Sequence, residues 1–148
     1  MYRRILVTLD GSDGAEAVLT HAASMAKAMR SVITLLRVVD PVASEWGERG
    51  TIGRVNAATT MRSAFTDEAE HYLAQIAVRL RGDGLAVDTV VRQGQRARQI
   101  VDAATELRAD AIAMATRSRR GLNRLMFGSV TEEVLHRSRL PVLLVRQD

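Results

Sequence analysis

The sequence predicts an α/β fold: one parallel sheet with helices on both of its faces. Short apolar runs alternate with longer stretches whose apolar residues recur at helical spacing, in the order β-α-β-α-β-α-β-α-β. The strand-like runs are apolar nearly throughout, as strands covered on both faces are. The length, 148 residues, suits a single domain over 1–148 and is too short for two comfortable ones.

Ile5-Leu6-Val7-Thr8-Leu9 is the first strand, broken by Asp10-Gly11-Ser12-Asp13-Gly14. Asp13 and Glu16 have the spacing of an N-cap and its N3 partner. Ala15, Val18, Leu19, Ala22, Ala23, Ala26 and Met29 then form one apolar helical face, with alanines small enough for close packing on a sheet. Val32 to Val39 is the second strand, ended by Asp40-Pro41. Residues 42–60 contain Gly47, Gly50, Gly53 and Trp46 in mixed polarity and read as a mobile loop. Phe65, Ala69, Tyr72, Leu73, Ile76, Ala77 and Leu80 form the stripe of a second helix that stops at Gly82-Asp83-Gly84. Ala86 to Val91 is a third strand, polar enough at Asp88 and Arg92 to lie at an edge. Gly94 turns the chain into a third helix marked by Ala97, Ile100, Val101, Ala104 and Leu107. Ala111 to Met114 is the fourth strand. Val130, Val134 and Leu135 give the last helix an apolar side, and Pro141-Val142-Leu143-Leu144-Val145 is the last strand, with proline at its tolerated first position.

Composition narrows the chemistry. Apolar residues make up 47% of the chain and aromatic ones only 3%, so the core is aliphatic. The formal net charge is +4, with Lys27 the sole lysine among the cations. Without a clustered patch, that balance is no argument for nucleic acid. The absence of cysteine excludes disulfides, thiol catalysis and cysteine metal sites. His21, His71 and His136 fall on separate helices with no close ligand spacing, and neither a G-x-S-x-G elbow nor a P-loop is present. No apolar run approaches a membrane span and Met1 leads straight into a strand, so a soluble, cytoplasmic protein is expected.

The loop Ala115 to Gly128 concentrates the functional signal. Arg117, Arg119, Arg120 and Arg124 crowd a segment that ends where Ser129-Val130-Thr131-Glu132 has the form of a capping box. Free N–H groups and the positive end of the dipole make such a helix start an anion site. The same residues also suit a solvated basic loop before an ordinary capped helix, and Asp10 also suits a plain Asp-Gly turn. In a sheet of this kind ligands bind at the carboxyl ends of the strands, where strand order reverses. Asp10, Val38 and the Ala115 loop all lie at such ends.

Two stretches carry a family resemblance. Ile5 to Ser12, and Ser118-Arg119-Arg120-Gly121-Leu122 through Gly128-Ser129-Val130 to Pro141–Val145, resemble the universal stress protein family over essentially the whole chain. The resemblance implies a five-stranded, Rossmann-like parallel sheet, of the adenine nucleotide alpha hydrolase-like type, and a dimer. One branch of that family binds ATP through G-x-x-G, nine residues, then G-S or G-T. By resemblance Asp10 holds the adenosine end with Thr8 beside it, and Val38 lines the adenine pocket. The loop residues Ala115, Thr116, Arg117, Ser118, Arg119, Arg120 and Gly121 lead to Gly128 and Ser129 at the phosphates, followed by Val130 and Thr131.

Ala115 and Ser118 stand where the motif has its first two glycines. A positive φ at either place would weaken phosphate binding. The resemblance thus implies an ATP-binding, nucleotide-responsive stress regulator, with Mg or Mn arriving on the phosphates rather than in a protein cage. It also puts the last strand at a sheet edge, where an apolar strand calls for a partner, here the same strand of a second chain. No catalytic base is evident, so at most slow ATP hydrolysis or self-phosphorylation is expected. The alternatives are a dimer that has lost nucleotide binding and works through an unidentified protein partner, a slow ATPase or self-phosphorylating protein, and, last, nucleic-acid binding through the arginine loop.

Overall fold

A computed structural model describes residues 1–39, 52–117 and 127–147, with residues 52–62 as backbone alone. The strands are β1 (Arg4–Thr8), β2 (Val32–Val39), β3 (Ala86–Gln93), β4 (Ala111–Arg117) and β5 (Val142–Gln147). The described helices are α1 (Ala17–Met29), α2 (Ile52–Gly82), α3 (Arg96–Glu106) and α4 (Ser129–Arg137), with a 3-10 turn at Gly14–Glu16 before α1. All the strand pairings are parallel, in the order β3-β2-β1-β4-β5. The α/β fold expected from the sequence is the one observed, with β3 and β5 at the edges and β1 in the centre.

The apolar runs explain why β1 takes the centre. Ile5 lies opposite both Ile33 and Ala111, and Val7 opposite both Leu35 and Ala113. Alternate residues feed two separate cores. Ile5, Val7, Ile33 and Leu35 pack with Val18, Ala22, Leu73 and Ala77 of α1 and α2. Leu6, Leu36, Ile112 and Met114 pack with Ile100, Ala104 and Val134 of α3 and α4. Burying one such leucine stabilises the fold by about 1.5–3 kcal/mol. Thr34, fully buried, accepts from Arg4 Nη1 at 2.6 Å, and the same nitrogen meets Asp88 Oδ2 at 2.7 Å. Asp88, which marked β3 as an edge in the sequence, thus anchors a polar bridge across three strands.

Several boundaries differ from the sequence reading. Helix α2 begins at Ile52, inside the expected 42–60 loop. Propagating a helix costs far less than nucleating one, so Gly53 and the β-branched Val55, Thr59 and Thr60 do not stop it. Residues 42–51, with Trp46, lie outside the described residues. Phe65 is 43% exposed and Leu135 39% exposed, so neither belongs to the core stripe of its helix. Strand β4 runs on to Arg117 because β5 continues beside it, Ala115 opposite Val145 and Arg117 opposite Gln147. The first three residues of the expected loop are therefore strand. Pro141 precedes β5, and its carbonyl accepts from Ile112 N–H at 3.0 Å.

The ends of α1, α2 and α3 share one device. An N–H two or three residues past each helix end reaches back to a carbonyl five residues earlier: Ser31 to Ala26, Leu85 to Leu80, Ala109 to Ala104. The residue between must be left-handed. Gly84 fills that place after α2 at φ +84°, but Arg30 and Arg108 fill it after α1 and α3 at φ 55° and 52°. A side chain in that region costs about 1–2 kcal/mol, partly offset by the freedom glycine gains in the unfolded chain. Arg108→Gly should therefore raise stability by about 0.5–1 kcal/mol. Urea unfolding should show a higher midpoint at unchanged slope; a lower midpoint would contradict the assignment.

Candidate functional site

The site is built at the carboxyl edge of β1. Past Thr8, Leu9 N–H still bonds Leu36 O at 2.9 Å, and the chain then turns at Asp10. Asp10 Oδ1 accepts from Ser12 N–H at 2.9 Å and from Ser12 Oγ–H at 2.6 Å. This is an Asx-turn, in which a side chain replaces a backbone partner. Gly11 sits at φ +88°, and the Arg37 guanidinium lies 2.9 Å from where a Cβ would stand. Ser12 Oγ in turn accepts from Ala15 N–H at 3.2 Å. Ser12, not Asp13, therefore opens the turn leading into α1. Asp13 already has helical backbone angles and makes no side-chain cap, and Glu16 is drawn instead to Arg79 at 3.1 Å.

The second wall is the start of α4. Gly128 is the N-cap, in extended conformation, and no side chain caps the helix. The expected capping box does not form, because Ser129 is already the first helical residue and cannot fold back on N–H groups beside its own. The N–H groups of Ser129, Val130 and Thr131 have no partner within the helix. Among the described residues nothing lies within 4 Å of where a Gly128 Cβ would point.

Between these walls lies a cavity of about 320 Å3, within the range of small-molecule sites. Thr8, Asp10 and Val38 line one side; Gly128, Ser129, Val130 and Thr131 line another; Ala115, Thr116 and Arg117 on β4 line the floor between them. Every expected site residue that is described meets here. Ser118, Arg119, Arg120 and Gly121, with Arg124, lie outside the described residues. Ala115 sits in a paired strand, and among the described non-glycine residues only Arg30 and Arg108 have positive φ. The glycine missing at Ala115 is thus not required by its backbone.

Residues the sequence reading missed complete the wall. Leu36, Ile100 and Met114 supply apolar surface, and Leu9, Ala15 and Gln147 close the rim. Arg96 also faces the cavity, from the first turn of α3. The rule that ligands gather at carboxyl strand ends applies to β3 as well, and would have found Arg96 just past Gly94. Thr116 is buried and its Oγ1 has no hydrogen-bond partner, although it stands on the cavity wall. A buried hydroxyl without a partner is costly, so this atom is a point of polar strain beside the cavity.

Electrostatics favour an ionised Asp10. Partial burial pushes its carboxyl up, but the Ser12 hydroxyl and N–H and the charges of Arg96 and Arg117 outweigh that and hold it below the ordinary aspartate value. Among the described residues no cluster of histidine and carboxylate side chains could hold a metal ion. No helix among them is long and apolar enough to cross a membrane.

The model of the universal stress protein family matches residues 1–146. The chain belongs to that family. A universal stress protein of Methanocaldococcus jannaschii is 27% identical over 154 residues, covering 99% of this chain and 84% of that protein. A second one of the same organism is 28% identical over 158 residues, covering 99% and 96%. The solved structure of that second protein superposes with a TM-score of 0.83 over 100% of this chain and 98% of its own. The family fold also matches the universal stress protein of Archaeoglobus fulgidus solved in complex with dAMP, at a TM-score of 0.65, 23% identity and 97% coverage of both chains.

A depressed carboxyl is stabilised in its charged form, so Asp10 contributes to stability above the ordinary carboxylate pKa and loses that contribution as pH falls through its folded value. Carbon-detected NMR titration should find the Asp10 midpoint below 3.8, and Arg96→Ala should raise it. A midpoint at or above 3.8 would contradict the described surroundings.

Proposed function

We propose that this universal stress protein binds ATP in the cavity between Asp10 and the start of α4, and acts as a nucleotide-responsive regulator. In this reading the chain is a single cytoplasmic domain. The carrying observation is the start of α4, which no side chain caps and whose first residues line the same cavity as Asp10. Amides at a helix start suit phosphate oxygens. The apolar patch of Leu36, Val38, Ile100 and Met114 suits a purine, and Asp10, with one carboxylate oxygen already bonded to Ser12, retains the other for the adenosine. Thr116 Oγ1 would gain the partner it lacks. The motif pair Gly128-Ser129 supports the same reading by family resemblance. A Mg or Mn ion would then come with the phosphates, since the described residues offer it no cage.

Turnover is not part of the proposal. Asp10 is the sole carboxylate among the described residues that line the cavity, and it is assigned to the adenosine end. Among the described residues no general base then stands near the phosphates.

Calorimetric titration tests the binding. Ser129→Ala should weaken ATP by about tenfold, the scale of one hydrogen bond to a charged group, 1.5–3 kcal/mol. Gly128→Leu should weaken it further without unfolding the protein, because no described atom stands where its Cβ would go. Phosphate release should remain far below the median enzymatic turnover of about 10 s⁻¹. Unchanged affinity in both variants would refute the site.

We also propose that the protein acts as a homodimer through β5. Ile112 N–H bonds Pro141 O, so Pro141, Leu143 and Val145 turn their backbone groups to β4 while Val142, Leu144 and Arg146 turn theirs outward. An apolar edge strand with free N–H and C=O groups is a template for pairing, and two-fold symmetry makes such pairing antiparallel. Leu144→Pro removes an outward N–H and no β4 bond. Light scattering should find a dimer for the natural chain at micromolar concentration and monomer for this variant; a monomeric natural chain would overturn the proposal.

A further inference from the structure

Arg96 is the feature of the cavity that fold stability does not explain. It occupies the first position of α3, where a cation opposes the positive end of the helix dipole and where acidic residues are favoured. Gln95 already caps this helix by accepting from Arg98 N–H at 2.8 Å, so Arg96 serves no capping role. Among the described residues neither Arg96 nor Arg117 has a carboxylate within ion-pair distance, while six other arginines do. Both residues line the cavity, and both act electrostatically on Asp10. With Asp10 ionised, that corner keeps one net positive charge.

Arg96 stands between the start of α4 and Asp10: its neighbour Gln95 donates to Glu133 of α4 at 2.7 Å, while Arg96 itself acts electrostatically on Asp10. It follows β3, on the β2 side of β1, whereas α4 packs over β4 and β5. Leu36, Val38 and Asp10, the proposed nucleoside end, line the same cavity, and of these Asp10 feels the Arg96 charge. We propose that Arg96, backed by Arg117, binds a phosphate carried on the ribose of an adenine nucleotide, so that the cavity prefers 2′- or 3′-phosphorylated adenine nucleotides to those phosphorylated at the 5′ position alone. This rests on the adenine-nucleotide reading of the cavity. A guanidinium presents a planar fork of donors that fits a phosphate, and an arginine beside the acidic residue at the end of a strand is how dinucleotide folds accommodate a ribose phosphate. Asp10 Oδ1 is engaged by Ser12, which leaves Oδ2 for the remaining ribose hydroxyl.

The experiment compares AMP, adenosine 2′,5′-bisphosphate and adenosine 3′,5′-bisphosphate by calorimetry on the full chain and on Arg96→Ala. All three share the base and the 5′-phosphate, so the ratio of affinities isolates the ribose phosphate. One bisphosphate should bind the natural chain about tenfold or more tighter than AMP, the scale of a charge-assisted hydrogen bond. That ratio should fall towards one in Arg96→Ala and be partly restored in Arg96→Lys. Equal affinity for AMP and both bisphosphates in the natural chain overturns the inference while leaving the nucleotide site standing. A preference retained in Arg96→Ala overturns the role of this residue. Failure of all three nucleotides and of ATP to bind overturns the nucleotide reading itself and the inference with it.

Discussion

Pairing of β1 with β2 on one side and β4 on the other is the constraint on which the molecule depends. Because the second strand is laid down to one side of β1 and the fourth to the other, the connections leave β1 in opposite directions and part above its carboxyl end. Thr8 and Asp10 emerge at that parting. The cavity is a consequence of strand order, and its chemistry is whatever residues stand at the ends of β1, β2, β3 and β4. Moving β1 to an edge would separate Asp10 from the start of α4 with no change in either residue.

The Asp10 turn adds rigidity where the fold alone would leave a loop. A carboxylate bonded to Ser12, a Ser12 hydroxyl bonded onward to Ala15, and Gly11 pressed against Arg37 form one continuous set of contacts from β1 into α1. Arg37 itself lies over the Tyr72 ring at 5.1 Å and meets Glu68 at 3.6 Å, so α2, which shares a sheet face with α1, supports the turn through this side chain. Burial and the nearby Glu16 push the Tyr72 hydroxyl up to about 12, which keeps it neutral beside this guanidinium across the physiological range. The carboxylate is thereby oriented before any ligand arrives, and a preorganised group binds without an ordering cost.

Much of this was legible in the sequence. Continuous apolar runs such as Ile5–Leu9 and Val32–Val39 allowed a two-sided parallel sheet and little else, and Asp88 and Arg92 marked β3 as an edge. Asp10, Val38, Gly128 and Ser129, picked out by strand ends and family resemblance, line one cavity. What escaped was set by tertiary context. The two capping predictions failed because the spacing of Asp13 with Glu16, and of Ser129 with Glu132, says nothing about where the chain first becomes helical. Ala115 to Arg117 became strand because β5 extends beside them, a pairing invisible from β4 alone. Arg96 was passed over because its helix was identified by its apolar face, and a cavity residue on a helix start contributes nothing to that periodicity.

The central claim is that a nucleotide is held between an oriented carboxylate and the free amides of a helix start. Its most direct measurement is the backbone amide spectrum of isotope-labelled protein during ATP titration, with hydrogen exchange followed at saturation. The account predicts that the amides of Ser129, Val130 and Thr131 shift most and exchange more slowly once ATP is bound, with Asp10 and Ser12 shifting alongside them. Binding of ATP that leaves those three amides unmoved and unprotected would contradict it.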